Sequence, residues 1–166
     1  FIYGIEKFAK DISGTIDAII CVDLPSDVVE EKQLNDALKK ENIALIKLIT
    51  PTTSEERIKD IVKTADGFIY SVNVEGQTGV KSADIVKVNS QIEKIKKYTK
   101  IPVVSGFGIK NEEDVKVFSD SKADGIVLGS SIVKEIQKKI NETTDKHIVA
   151  NFIKDYCKKL IKNLNK

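Results

Sequence analysis

At 166 residues the chain has the length of one domain, and 27 Lys and Arg against 25 Asp and Glu leave a net charge of +2, too balanced for a nucleic-acid footprint. Its 31% charged and 41% hydrophobic residues suit a water-soluble globule, and no apolar run approaches the roughly 20 residues of a membrane span. Cys21 and Cys157 are too few for a disulfide framework, no Cys/His spacing suggests zinc or another metal, and no signal-peptide pattern opens the chain, so a cytoplasmic protein with reduced thiols is expected.

In chain order, Ile5, Phe8, Ala9 and Ile12 share one face of an opening helix that ends near Gly14. Residues 17–24 (DAIICVDL) then form the first of five short β-branched runs; the others are 44–50 (ALIKLIT), 67–72 (GFIYSV), 101–105 (IPVVS) and 124–128 (DGIVL). Runs this short and this uniformly apolar suit strands covered on both faces, as in parallel sheets. Between them lie helical patterns carried by Leu34, Ala37 and Leu38, by Ile58, Ile61 and Val62, by Ile85, Val88, Ile92 and Ile95, and by Val115 and Phe118. Thr53 followed by Glu56 has the spacing of a capping box, and Asn111 is placed to cap the short helix after it. Ile132, Val133, Ile136 and Ile140 mark a sixth helix, and Ile148, Phe152, Tyr156, Leu160 and Leu164 a terminal one. Strict alternation of strand and helix predicts a parallel sheet with right-handed crossovers, and no linker divides residues 1–166.

In such folds ligands sit at the carboxyl ends of the strands. The run 101–105 is followed by Gly106-Phe107-Gly108-Ile109, and the run 124–128 by Gly129-Ser130-Ser131, where a helix starts at once. Glycines there let backbone N–H groups approach an anion, and the helix start adds partial positive charge and the Ser130 hydroxyl. Alternatively each glycine only permits a tight turn, but the same feature in two successive units favours the anion. Loop 73–82 (NVEGQTGVKS) holds Gly76 and Gly79, exceeds the length a βα turn needs, and reads as a lid or as a plain surface loop. Asp23-Leu24-Pro25 puts an acid and a rigid turn at a strand end, suited to catalysis or to fixing the loop. Cys21 reads as a core residue, His147 as solvent-facing, and the lysine-rich helix faces as solvated exteriors. No nucleophile–base constellation or carboxylate pair stands out.

The ordered set Tyr3-Gly4-Ile5-Glu6-Lys7-Phe8, Asp23-Leu24-Pro25, Leu48-Ile49-Thr50-Pro51-Thr52-Thr53, Gly76-x-Thr78-Gly79, Gly106-Phe107-Gly108-Ile109 and Leu128-Gly129-Ser130-Ser131-Ile132-Val133-Lys134 resembles the tryptophan synthase alpha subunit over nearly the whole chain. The resemblance implies a (β/α)8 barrel, here incomplete, with about five parallel strands and their helices matching units four to eight, the C-terminal portion of that fold. It implies aldol cleavage of indole-3-glycerol phosphate to indole and glyceraldehyde 3-phosphate in tryptophan biosynthesis, hence a lyase. Gly79, Gly108, Gly129 and Ser130 match phosphate contacts; Ile20, Val22, Tyr70 and Phe107 match pocket residues. Gly76 and Thr78 match the lid, and Asp23 and Pro25 match a segment contacting the beta subunit of an alpha2beta2 assembly. Pyridoxal phosphate belongs to that partner, so no cofactor is expected in this chain. Two departures accompany the likeness. The lid reads Asn73-Val74-Glu75 where the family carries an arginine, and the family's acid–base glutamate and aspartate fall ahead of residue 1. A non-catalytic fragment that binds phosphate or docks on the beta subunit is therefore the alternative, and a phosphate-binding isomerase or synthase on the same scaffold is a third reading.

Overall fold

The computed structural model describes residues 2–72, 82–106, 112–162 and 164, with the backbone alone for 82–84. Helix α1 (Ile5–Ile12) precedes β1 (Ala18–Ile20), α2 (Val29–Lys40), β2 (Ala44–Ile49), α3 (Glu55–Thr64) and β3 (Ile69–Val72). Then follow α4 (Ser82–Lys96), β4 (Val103–Gly106), α5 (Glu112–Ser119), β5 (Gly125–Val127), α6 (Ser130–Glu142) and α7 (Lys146–Lys162). Among the described residues the strands form one parallel sheet in the order β1-β2-β3-β4-β5. The expected alternation is therefore present, with strands adjacent in space in the order they occur along the chain.

Side-chain alternation divides the sheet. Ile49, Ile69 and Val103 turn to the helices and join Ile58, Ile61, Val88, Ile92, Ile95, Val115, Phe118 and Leu160 in one core. A second, smaller core packs Leu45 and Ile43 against Leu34, Ala37 and Leu38 of α2 and Ala9 of α1. Leu45 and Ile49 thus belong to different cores, and the residue midway between them on that side of β2 is Lys47. Lys47 is 3% exposed and forms an ion pair with Glu31 of α2, itself 6% exposed. On helix α2, Asn35 lies one turn beyond Glu31 and is also buried.

Two expectations are corrected. The first strand is only Ala18–Ile20, not 17–24, because it pairs with one neighbour and over three positions. Cys21 consequently lies past the strand end, although, half-buried, it still packs against the second core as its core reading requires. Helix α3 is capped by Ser54, whose Oγ accepts from the Arg57 N–H at 3.3 Å, and not by Thr53. The Thr53 Oγ1 instead accepts from the Thr50 N–H at 3.1 Å, closing the turn one residue earlier. The Asn111 cap lies outside the described residues. His147 is exposed as expected, beside Asp145, whose Oδ1 accepts from the His147 N–H at 2.8 Å and starts α7.

Candidate functional site

Of the predicted pocket residues, Ile20 and Tyr70 lie on the face turned away from the core helices. Register places Leu48, Tyr70 and Val104 side by side on it, with Ile46 and Ile20 one pair toward the other end. Ile20 is 45% exposed and Val22, beyond the end of β1, is 75% exposed. Tyr70 is half-buried, and burial pushes its phenol above the ordinary tyrosine range, so it stays a neutral hydroxyl at neutral pH. Its hydroxyl lies over Gly106: a Cβ built on that glycine would clash with the Tyr70 hydroxyl and ring and come 3.0 Å from the Val127 Cβ. Gly106 therefore makes the space Tyr70 occupies. Its φ is not in the positive region, so room and not backbone freedom requires glycine here.

Strands β4 and β5 end together, with Gly106 paired to Val127. The segment that leaves β5 reaches Gly129 and enters α6 at Ser130. Gly129 is the N-cap of this 13-residue helix, makes no side-chain cap bond, and its carbonyl accepts from the Val133 N–H at 3.1 Å. The first helical N–H groups and the exposed Ser130 side chain thus stand at the carboxyl end of the sheet, Gly129 following two residues after Val127, the strand partner of Gly106, and the partial positive charge there favours an anion. Gly108 and Phe107 lie outside the described residues, as do Gly76, Thr78 and Gly79 of the lid. Asp23 and Pro25 are exposed on the loop after β1. Among the described residues no group of three or more His, Cys, Asp or Glu side chains is arranged to hold a metal, and no helix is long and apolar enough to cross a membrane.

A second polar feature escaped the sequence reading. Lys47 and Glu31 line a crevice of about 480 Å³ with Cys21, Asp23, Thr50 and Arg57 among its other walls. The signal was present: a single lysine in the otherwise apolar strand ALIKLIT. A lone charge within such a run marks either an edge or a buried pair, and only the position of α2 selects the pair.

Comparison with known proteins agrees with this arrangement. Residues 1–162 match the family model for the tryptophan synthase alpha chain. The tryptophan synthase alpha chain of Phenylobacterium zucineum (strain HLK1) is 40% identical over 144 residues, which are 86% of this chain and 51% of that protein. The solved tryptophan synthase alpha subunit of Campylobacter jejuni superposes with a TM-score of 0.76 at 37% identity, over 94% of this chain and 60% of that one. The alpha chain from Legionella pneumophila subsp. pneumophila gives a TM-score of 0.80 at 25% identity, over 99% and 58%. This chain thus spans about half the length of the curated relative it matches, and its five parallel strands are a half-barrel of the TIM-barrel fold. On sequence and on architecture alike, the chain belongs to the tryptophan synthase alpha chain family.

Proposed function

We propose that this chain is the substrate-anchoring portion of an enzyme that cleaves indole-3-glycerol phosphate to indole and glyceraldehyde 3-phosphate. The carrying observation is the shared end of β4 and β5, where Gly106 pairs with Val127 and the chain reaches the Gly129–Ser130 start of α6 two residues later. An anion held by the α6 N–H groups and the Ser130 hydroxyl fixes one end of the substrate, and Gly79 and Gly108 complete the phosphate contacts in this reading. The indole then lies along Ile20, Val22 and Tyr70, with Phe107 beside it. Gly76 and Thr78 close over the site, and Asp23 with Pro25 contributes to docking on a beta subunit.

The cleavage requires protonation of indole C3, deprotonation of N1 and removal of a glycerol hydroxyl proton. Placed carboxylates supply about 10²–10⁴-fold each in such general acid–base work. In this reading they come from βα units other than the five described here, and binding and turnover are tested separately. Titration with glycerol 3-phosphate tests the anchor: saturable binding is expected, weakened about tenfold by Ser130→Ala. Indole release is expected when a polypeptide carrying the three preceding βα units is supplied. Absence of saturable binding even then overturns the proposal, and binding without indole release selects the non-catalytic alternative.

A further inference from the structure

Strand β2 changes partners halfway along. Its Ala44, Leu45 and Ile46 pair with β1, and its Lys47, Leu48 and Ile49 pair with β3. Side-chain packing changes at the same place, since Ile43 and Leu45 join the core of α1 and α2 while Ile49 joins the main one. The crevice runs along this boundary, with residues 21–26 and Glu31 on one side and Lys47, Leu48, Thr50 and Arg57 on the other. Open space there stands in for contacts that would bind the two sides together. Two ion pairs cross the boundary: Arg57 with Asp27 at 2.8 Å on the surface, and the buried Lys47 with Glu31. The exposed pair holds weakly. When the buried pair separates into water, both charges are rehydrated, which offsets the lost pairing, so this seam parts more readily than an apolar one.

We propose that residues 2–46 open and refold as one cooperative unit, while the main core stays intact, with the break inside β2 between Ile46 and Lys47. Opening gives up the smaller core and the three-position ladder of β1, and leaves Lys47, Leu48 and Ile49 paired to β3. The unit that opens carries the pocket residues Ile20 and Val22. The part that stays carries Tyr70 and the Gly129–Ser130 anchor. Resting on the substrate reading above, a bound indole-3-glycerol phosphate touches both and holds the unit closed, whereas a ligand that reaches only the anchor leaves the opening unchanged. The substrate thereby completes the wall of its own pocket.

Native-state hydrogen exchange of the full chain, followed residue by residue, tests this. The amides of Ala37 and Leu38 in α2 are expected to exchange at least about tenfold faster than those of Ile92 and Ile95 in α4, with one opening equilibrium shared by α1 and α2. Ile92→Val is expected to speed exchange about fivefold at Ile95 and to leave Leu38 unchanged, because the open form keeps the main core. Glu31→Gln leaves Lys47 buried and unpaired in the closed form alone, and is expected to speed exchange at Leu38 by at least about 10²-fold. Equal protection of α2 and α4, or acceleration at Leu38 by Ile92→Val, overturns the two-unit opening whatever the chain binds. Indole-3-glycerol phosphate is expected to slow exchange at both Leu38 and Ile95, and glycerol 3-phosphate at Ile95 alone. Slowing confined to Ile95 with both ligands overturns the closing role of the substrate. Slowing by neither overturns the phosphate anchor and the closing role with it.

Discussion

Strands β1 and β3 come from similar sequence and meet different fates. Both are short β-branched runs, yet Ile69 of β3 is 0% exposed and Ile20 of β1 is 45% exposed. The difference is one of face as well as of neighbours: Ile69 turns to the core helices, whereas Ile20 lies on the opposite face of the sheet with Ile46. Strand β3 is hydrogen-bonded on both sides and sends Ile69 into the main core, whereas β1 has a single partner and three paired positions among the described residues. Between them β2 serves both cores and carries Lys47 at the seam. An apolar strand is thus a proposal by the sequence that only its flanking strands and helices complete.

The seam carries the largest expected effect. Removing one member of a buried pair strands the other, at a cost of about 3–5 kcal/mol, so Lys47→Met and Glu31→Gln are each expected to lower the denaturant midpoint strongly. The double variant Glu31→Leu with Lys47→Met is expected to recover most of that loss, since apolar replacement of both partners removes the desolvation penalty. A double variant as unstable as the singles would show that the pair is not the source. Next, Ile69→Ala is expected to cost about 2–5 kcal/mol in urea unfolding, while Ile20→Ala, already half in water, costs under about 1 kcal/mol. Equal costs at the two positions would contradict the burial of Ile69 and the exposure of Ile20.

Gly106→Ala comes third. Its Cβ must displace the Tyr70 ring, at a cost of about 1–3 kcal/mol, and the displaced phenol is expected to show a changed tyrosine absorbance spectrum and titration. An unaltered Tyr70 signal in a folded variant would contradict the packing described above.

The smallest effect lies at the periphery. At α1, the hydroxyl of Tyr3, just ahead of the helix, and the Lys7 ammonium hold the Asp11 carboxyl below its ordinary 3.8. A depressed folded value contributes stability that is present above the unfolded value and lost as pH falls through the folded one. Asp11→Asn is accordingly expected to reduce, slightly, the loss of stability on acidification below about pH 4, as read from thermal midpoints. A steeper acid loss in that variant would reverse the assigned sign.

The legible and the illegible positions differ in what enforces them. Period and length announce the strand–helix alternation, because a buried strand between helices must be apolar throughout and each amphipathic helix repeats its core residues every three or four positions. The capping residue of α3 was misplaced by one position, since Thr53 and Ser54 are chemically alike and the Thr50 turn decides between them. Lys47 is marked by its apolar strand, but its partner is not legible, because Glu31 sits among charged residues on α2 and nothing local distinguishes it from its solvated neighbours.

The order of the elements, the glycine-flanked strand ends and the family were set by the amino-acid sequence, because local periodicity and close-packed turns depend on residues near one another in the chain. The extent of β1, the burial of Lys47 against Glu31 and the lodging of Tyr70 over Gly106 were decided by tertiary structure alone. Each of these joins residues from separate βα units, and burial depends on what packs around a side chain, which the side chain does not itself specify.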